Sequence, residues 1–225
     1  MNMEDMSRFD WQGKPGVCPL ELQLDVLSLD GMLLKGLRKT NARVLDIGCG
    51  EEFMLVKYLH AKGINAEGLD PRIKQGNEYL MDIGMPKGFK DKTKIMPRPN
   101  NHYDLIISHC MDYFYNKIHV LGSEDERLSI EFDNTTSGVV LSSNFAIFEA
   151  LRVLKSGAEM IVYPAITSIS RMQKEFEQRK CSFEQQPLGE EKVSQIKTKY
   201  WEIYSWFEEP IKRWDYRYRT IIHKN

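Results

Sequence analysis

The chain has 225 residues, 42% of them hydrophobic and 28% charged, which suits one domain with a substantial core. Its net charge of −1 and pI near 6.5 supply no general attraction to nucleic acid or to an anionic membrane surface. No apolar run approaches the roughly 18 residues of a membrane span, and the acidic, Met-rich start is unlike a signal peptide. Cys18, Cys49, Cys110 and Cys181 are scattered with no C-x-x-C pair, so a soluble cytoplasmic protein with reduced thiols is expected.

Residues 1 to 19 are polar and aromatic, with turn signals at Gly13, Pro15, Gly16 and Pro19. They read either as a disordered terminus or as an arm whose Arg8, Phe9, Asp10 and Trp11 close over a ligand. From Leu20 to Leu37 the apolar residues Leu20, Leu24, Leu27, Met32, Leu33 and Leu37 predict one helix or two, interrupted near Asp30-Gly31.

Residues 42 to 71 carry the clearest pattern. Val44, Leu45 and Ile47 form a short apolar run that stops at Gly48-Cys49-Gly50, and Leu55, Tyr58 and Leu59 recur at helical spacing up to Gly63. Ala66 to Leu69 is a second apolar run, ending at Asp70. Strand, tight turn, helix and strand make a parallel βαβ unit. Glycines at 48 and 50 permit positive φ and close approach of a ligand to the backbone, while the following helix points its positive dipole end at the turn. Asp70, at the carboxyl end of the second strand, is placed to accept hydrogen bonds from ribose hydroxyls. A dinucleotide fingerprint needs glycine at position 53, where Phe53 stands; its ring is expected to obstruct a pyrophosphate, which disfavours a nicotinamide or flavin dinucleotide.

Further along, Tyr79-Leu80-Met81-Asp82, His102 to Ser108, and Glu149-Ala150-Leu151-Arg152-Val153-Leu154-Lys155-Ser156-Gly157 follow in order. With Asp46-Ile47-Gly48-Cys49-Gly50 these segments resemble the class I S-adenosylmethionine-dependent methyltransferases over roughly residues 42 to 164. The resemblance implies an α/β, Rossmann-like, doubly wound sheet, mostly parallel with an antiparallel last strand, and helices on both faces. It also implies S-adenosylmethionine as cofactor. Asp46, Gly48, Cys49 and Gly50 would serve its methionyl and ribose end, Asp70 the ribose hydroxyls and Asp82 the adenine, with Ser108 grouped among the cofactor contacts.

Only seven residues separate Asp70 from the strand candidate Glu78 to Ile83, fewer than the ~10 to 12 of an ordinary crossover. Either the second helix is reduced to a turn, which is preferred, or residues 73 to 84 are that helix and the strand lies at Lys92 to Met96. Gly84 to Asn101 is a loop with Lys87, Lys90, Lys92, Lys94 and Arg98, read as solvated surface or as contact for an anionic substrate. Leu105, Ile106 and Ile107 predict a strand covered on both faces. At its carboxyl end, where open α/β sheets bind ligands, lie His109, Asp112 and Tyr113. His109 is the first candidate for a general base because imidazole titrates near neutrality; a second reading makes it a buried hydrogen bonder.

The interval Tyr115 to Ser143 is long for a connector and is a candidate substrate lid. Ser143 or Asn144 reads as the N-cap of a helix carrying Phe145, Phe148, Leu151 and Leu154, ended by Gly157. Glu159 to Tyr163 predicts the next strand, stopped by Pro164. Ile169 to Lys180 predicts a helix and 181 to 188 a sixth strand; Arg213 to His223 alternates polar and apolar as a strand does, and the resemblance implies that it is the antiparallel last one. The aromatic stripe Tyr200, Trp201, Tyr204, Trp206 and Phe207 reads as sheet packing or as a stacking surface.

Two consecutive acids, Glu51 and Glu52, follow the glycine turn where the family often has a glycine at the position of Glu52. They repel the carboxylate of the methionyl tail unless Glu52 points outward or a basic side chain compensates, or they sit harmlessly in a first helical turn. The expected function is methyl transfer to a small-molecule acceptor, with a protein acceptor second; the alternative is a methyltransferase-like protein that binds ligand or partner without turnover. No His or Cys cluster suggests a metal, and no string suggests nucleic-acid recognition.

Overall fold

The computed structural model describes residues 18–50, 52–69, 98–109, 120–122, 128–130, 143–166, 169–200 and 214–225. Two helices come first, α1 (Leu20–Val26) and α2 (Gly31–Lys39). Asp30 separates them because its carboxylate accepts hydrogen bonds from the main-chain N–H groups of Met32 and Leu33, both at 2.9 Å, an N-cap. The buried face of α2 is Leu34 and Leu37. Met32, expected on that face, is 81% exposed: at the first turn the cap fixes the helix rotation, and a residue two or five positions before the buried pair points outward.

A six-stranded sheet forms the centre, in the order β2 (Asn65–Leu69), β1 (Arg43–Ile47), β3 (Tyr103–His109), β6 (Leu154–Tyr163), β10 (Tyr218–Lys224), β8 (Cys181–Pro187). β1 pairs parallel with β2 and with β3, and β3 parallel with β6. β10 runs antiparallel to both β6 and β8. This is the expected doubly wound arrangement with an antiparallel last strand. Val44, Leu45, Ile47, Leu105, Ile106 and Ile107 are all buried, as continuous apolar strands with both faces covered must be. The candidate strand at 78–83 lies outside the described residues.

Helix α3 (Met54–Ala61) joins β1 to β2 and buries Leu55, Val56, Tyr58 and Leu59. Within the long interval after β3, β4 (Val120–Gly122) and β5 (Leu128–Ile130) form an antiparallel pair; the remainder of that lid candidate is outside the described residues. Helix α4 (Ser143–Val153) leads straight into β6 at Leu154, four residues before the end expected at Gly157. The cause is pairing: Leu154 is already in register with Tyr103, and the next match is Leu105 with Glu159. Lys155 to Ala158 bulge out between those two matches, and Gly157 takes φ 78° there, so the glycine shapes a bulge rather than a helix end. Leu154 is buried as a strand residue.

The Glu149 to Gly157 segment also braces the neighbouring loop. Arg152 donates two hydrogen bonds to the buried Glu149, both at 2.9 Å, and others to the Arg98 carbonyl and to Asn100. Lys224 of β10 donates to the carbonyls of Leu151 and Leu154, satisfying acceptors that a helix end leaves open.

Beyond β6, β7 (Ala165–Ile166) pairs with β9 (Trp214–Asp215), so the last run is a short strand, a turn at Tyr216-Arg217 and then β10. A 3-10 turn (Ile169–Met172) precedes α5 (Gln173–Gln178), which buries Phe176. A helix not expected from the sequence, α6 (Glu190–Lys199), follows β8; it is largely polar with Ile196 as its buried residue, too weak an apolar stripe to register as helical. Tyr200 is buried, in line with the packing reading; the other aromatics of that stripe lie outside the described residues.

Candidate functional site

The turn after β1 is held by the second strand. The Gly48 N–H donates to the Leu69 carbonyl at 2.7 Å, and the Cys49 N–H approaches the same oxygen at 3.4 Å. Gly48 takes φ 86° and Gly50 φ 70°, values that a side chain disfavours by about 1–2 kcal/mol. Glycine is therefore favoured at both positions, as expected. The carbonyl that anchors the turn belongs to the residue just before Asp70, so turn and second strand end form one piece of backbone. Asp70 itself lies outside the described residues.

Position 53 also takes a left-handed backbone, with φ 38° and ψ 46°. Here Phe53 accepts the conformation that glycine would adopt freely. Phe53 is 9% exposed and belongs to the core cluster, with Lys57 Nζ 4.6 Å from its ring centroid. Core burial takes up the bulk of this side chain. Helix α3 begins only at Met54 and has no acidic residue in its first turn. Glu52 precedes the helix and is exposed, so the harmless-first-turn account does not hold for it; Glu51 lies outside the described residues.

Asp46 is buried at 2% exposure and in register with Gly68 on one side and Ile107 on the other. Two residues beyond it in sequence, the turn begins. Ser108 occupies the last-but-one position of β3, in register with Ile47 and Val162. Its hydroxyl is buried and, among the described residues, is the one buried side-chain polar atom with no hydrogen-bond partner. An orphaned hydroxyl in a dry interior costs about 1–3 kcal/mol. It sits on the strand beside the glycine turn, where a ligand atom would satisfy it. An orphaned Ser108 hydroxyl beside a turn of two positive-φ glycines fits an adenosyl cofactor of the kind the sequence implies.

His109 follows on the opposite face of β3. It is 5% exposed, with Nε2 3.6 Å from the Cys18 sulfur and its ring stacked on Tyr163 at 5.7 Å and 7°. Tyr163 is itself pinned by donating its hydroxyl proton to the Tyr216 carbonyl, and Gln23 donates to the Cys18 carbonyl at 2.7 Å. The imidazole is therefore enclosed rather than displayed on an open strand edge. Cys18 and Tyr163 were not identified as neighbours of His109 from sequence, and no local signal carries that relation. Asp82, Asp112 and Tyr113, the remaining site candidates, lie outside the described residues. Among those described, no group of His, Cys, Asp and Glu residues is arranged to hold a metal, and no helix is long and apolar enough to cross a membrane.

No family model and no curated protein matches the chain. Solved structures do. A Haloferax volcanii complex of the Trm112 methyltransferase activator with a methyltransferase is 14% identical, at TM-score 0.43, over 90% of this chain and 97% of that one. The plantazolicin methyltransferase BpumL in complex with S-adenosylhomocysteine is 15% identical at TM-score 0.41, over 91% and 84%. The [4+2]-cyclase SpnF is 12% identical at TM-score 0.44, over 96% and 86%. The fold class rests on this chain's own strand order and register. In architecture the chain is a Rossmann-like α/β protein that resembles the class I S-adenosylmethionine-dependent methyltransferases.

Proposed function

We propose that the chain binds S-adenosylmethionine on the Asp46–Gly50 turn and transfers its methyl group to a small-molecule acceptor. The observation that carries this reading is the turn itself: Gly48 and Gly50 both stand at positive φ, and the Gly48 N–H ties the turn to the end of β2 at the Leu69 carbonyl. When bound, the cofactor supplies an activated methyl group on a sulfonium, a chemistry that needs no metal. The chain's own task is then orientation, which is worth several kcal/mol of a barrier. Main-chain groups at Gly48, Cys49 and Gly50 would line the methionyl and ribose end, Asp70 the ribose hydroxyls and Asp82 the adenine. Ser108 would complete its hydrogen bond there.

For an acceptor that must lose a proton, His109 is the first candidate base, with Asp112 and Tyr113 next. Acceptor selection is assigned to the interval 115–143 and to the arm around Phe9 and Trp11. A second reading, ligand binding without turnover, draws on the enclosure of His109 between Cys18 and Tyr163. Titration calorimetry with S-adenosylmethionine and S-adenosylhomocysteine tests the first step. Saturable binding of both is expected, and absence of heat with either, on folded protein, would overturn the reading.

A further inference from the structure

At the opposite edge of the sheet from the glycine turn lies a cleft of about 450 Å³, lined by Arg43, Asn65, Glu67, Arg98, His102 and Tyr103 among others. Arg43 and Asn65 open β1 and β2, and Tyr103 opens β3. Arg43 is five residues from Gly48, so at about 3.3 Å per strand residue the two edges are roughly 16 Å apart.

The described lining of the cleft is rich in hydrogen-bond donors: Arg43, Asn65, Arg98, His102 and Tyr103. The one carboxylate among its described lining residues, Glu67, accepts from Arg98 Nη2 at 2.8 Å, from Arg98 Nε at 3.0 Å and from the Tyr103 hydroxyl. Asp104, nearby on β3, is likewise engaged, by Lys155 at 2.7 Å and by the Arg43 main-chain N–H at 2.9 Å. The Arg43 guanidinium pairs with no carboxylate among the described residues. Its side-chain contact is Nη1 to His102 Nδ1 at 3.3 Å. Guanidinium has donors only, so Nδ1 must be the acceptor, His102 must be neutral, and its proton must sit on Nε2. Burial, together with the Arg43 charge, holds the His102 pKa below its ordinary value, in agreement with that tautomer. The result is an exposed cation, an imidazole N–H and the Asn65 amide around a cleft whose own anion is already satisfied. A small oxyanion completes such a set through charge-assisted hydrogen bonds.

We propose that this cleft binds a small molecule bearing a phosphate or carboxylate group, recognised by Arg43 and His102, at a site separate from the cofactor turn. The inference does not depend on methyl transfer. The test uses the full chain and follows the His102 ring resonances by NMR during titration with inorganic phosphate, with succinate, and with chloride at matched ionic strength. A saturable His102 shift with phosphate or succinate and none with chloride is expected; which of the two saturates first distinguishes phosphate from carboxylate recognition. Arg43 is exposed, so Arg43→Gln is expected to keep the wild-type unfolding temperature while weakening the anion about tenfold or more, the loss of one charge-assisted contact. No saturable shift with either anion, or a shift of unchanged affinity in Arg43→Gln, overturns the proposal.

Discussion

The sulfur of Cys18 lies 3.6 Å from Nε2 of His109, 91 residues further along the chain. One group belongs to the segment leading into the first helix and the other ends the central strand β3. Their contact fastens the start of the described chain to the carboxyl edge of the sheet, where the proposed chemistry would occur. A double-mutant cycle with Cys18→Ala and His109→Phe is expected to give a coupling of about 0.5 kcal/mol or more in unfolding free energy. Strict additivity would mean that the two groups are merely close.

Ser108→Ala separates a structural from a ligand-binding hydroxyl. Removing an unsatisfied buried hydroxyl should leave the ligand-free protein as stable as before, or more so by up to about 1–3 kcal/mol. If Ser108 bonds the cofactor, affinity for S-adenosylhomocysteine should fall by about 0.5–1.5 kcal/mol. Calorimetry beside thermal unfolding reads both; a less stable protein with unchanged affinity would remove Ser108 from the cofactor site.

Phe53→Gly sets backbone strain against core burial. Glycine relieves about 1–2 kcal/mol of left-handed strain, but loss of a buried phenylalanine side chain costs about 3–5 kcal/mol. Net destabilisation of about 2 kcal/mol is expected by denaturant unfolding. A stabilised variant would show that the ring contributes little to the core.

Glu67 ties stability to pH. Burial opposes its ionisation, but hydrogen bonds from Arg98 and Tyr103 prevail and hold its carboxyl below the ordinary 4.5. A depressed folded pKa gives stability that is fully present above the unfolded value and is lost as pH falls through the folded one. Wild-type protein should therefore lose stability below about pH 4.5 more steeply than Glu67→Gln, which lacks that titration. Parallel acid limbs in the two proteins would remove Glu67 as a contributor.

Asp70→Ala is expected to weaken S-adenosylmethionine binding by about 1.5–3 kcal/mol, the range for hydrogen bonds to a charged group. Glu52, being exposed, is expected to behave differently. Its replacement by glycine should alter cofactor affinity by less than about 1 kcal/mol, as for a solvent-screened charge. A large tightening in Glu52→Gly would mean that the carboxylate does crowd the methionyl tail.

The βαβ unit, the need for glycine at 48 and 50 and the break at Asp30-Gly31 were all legible in the sequence. Each is governed by local causes: apolar periodicity, the steric cost of positive φ, and a side chain that caps its own neighbouring N–H groups. The end of α4 was not legible, because Leu154 enters a strand only through its pairing with Tyr103, and pairing energy outweighs a glycine three residues on. Nor was the outward rotation of Met32, the burial of Phe53, or the polar helix α6. The Cys18–His109 contact and the Glu67–Arg98–Tyr103 cluster join residues 91, 31 and 36 positions apart. Such contacts exist only once the strand order has brought separate segments together, so only the tertiary structure decided them.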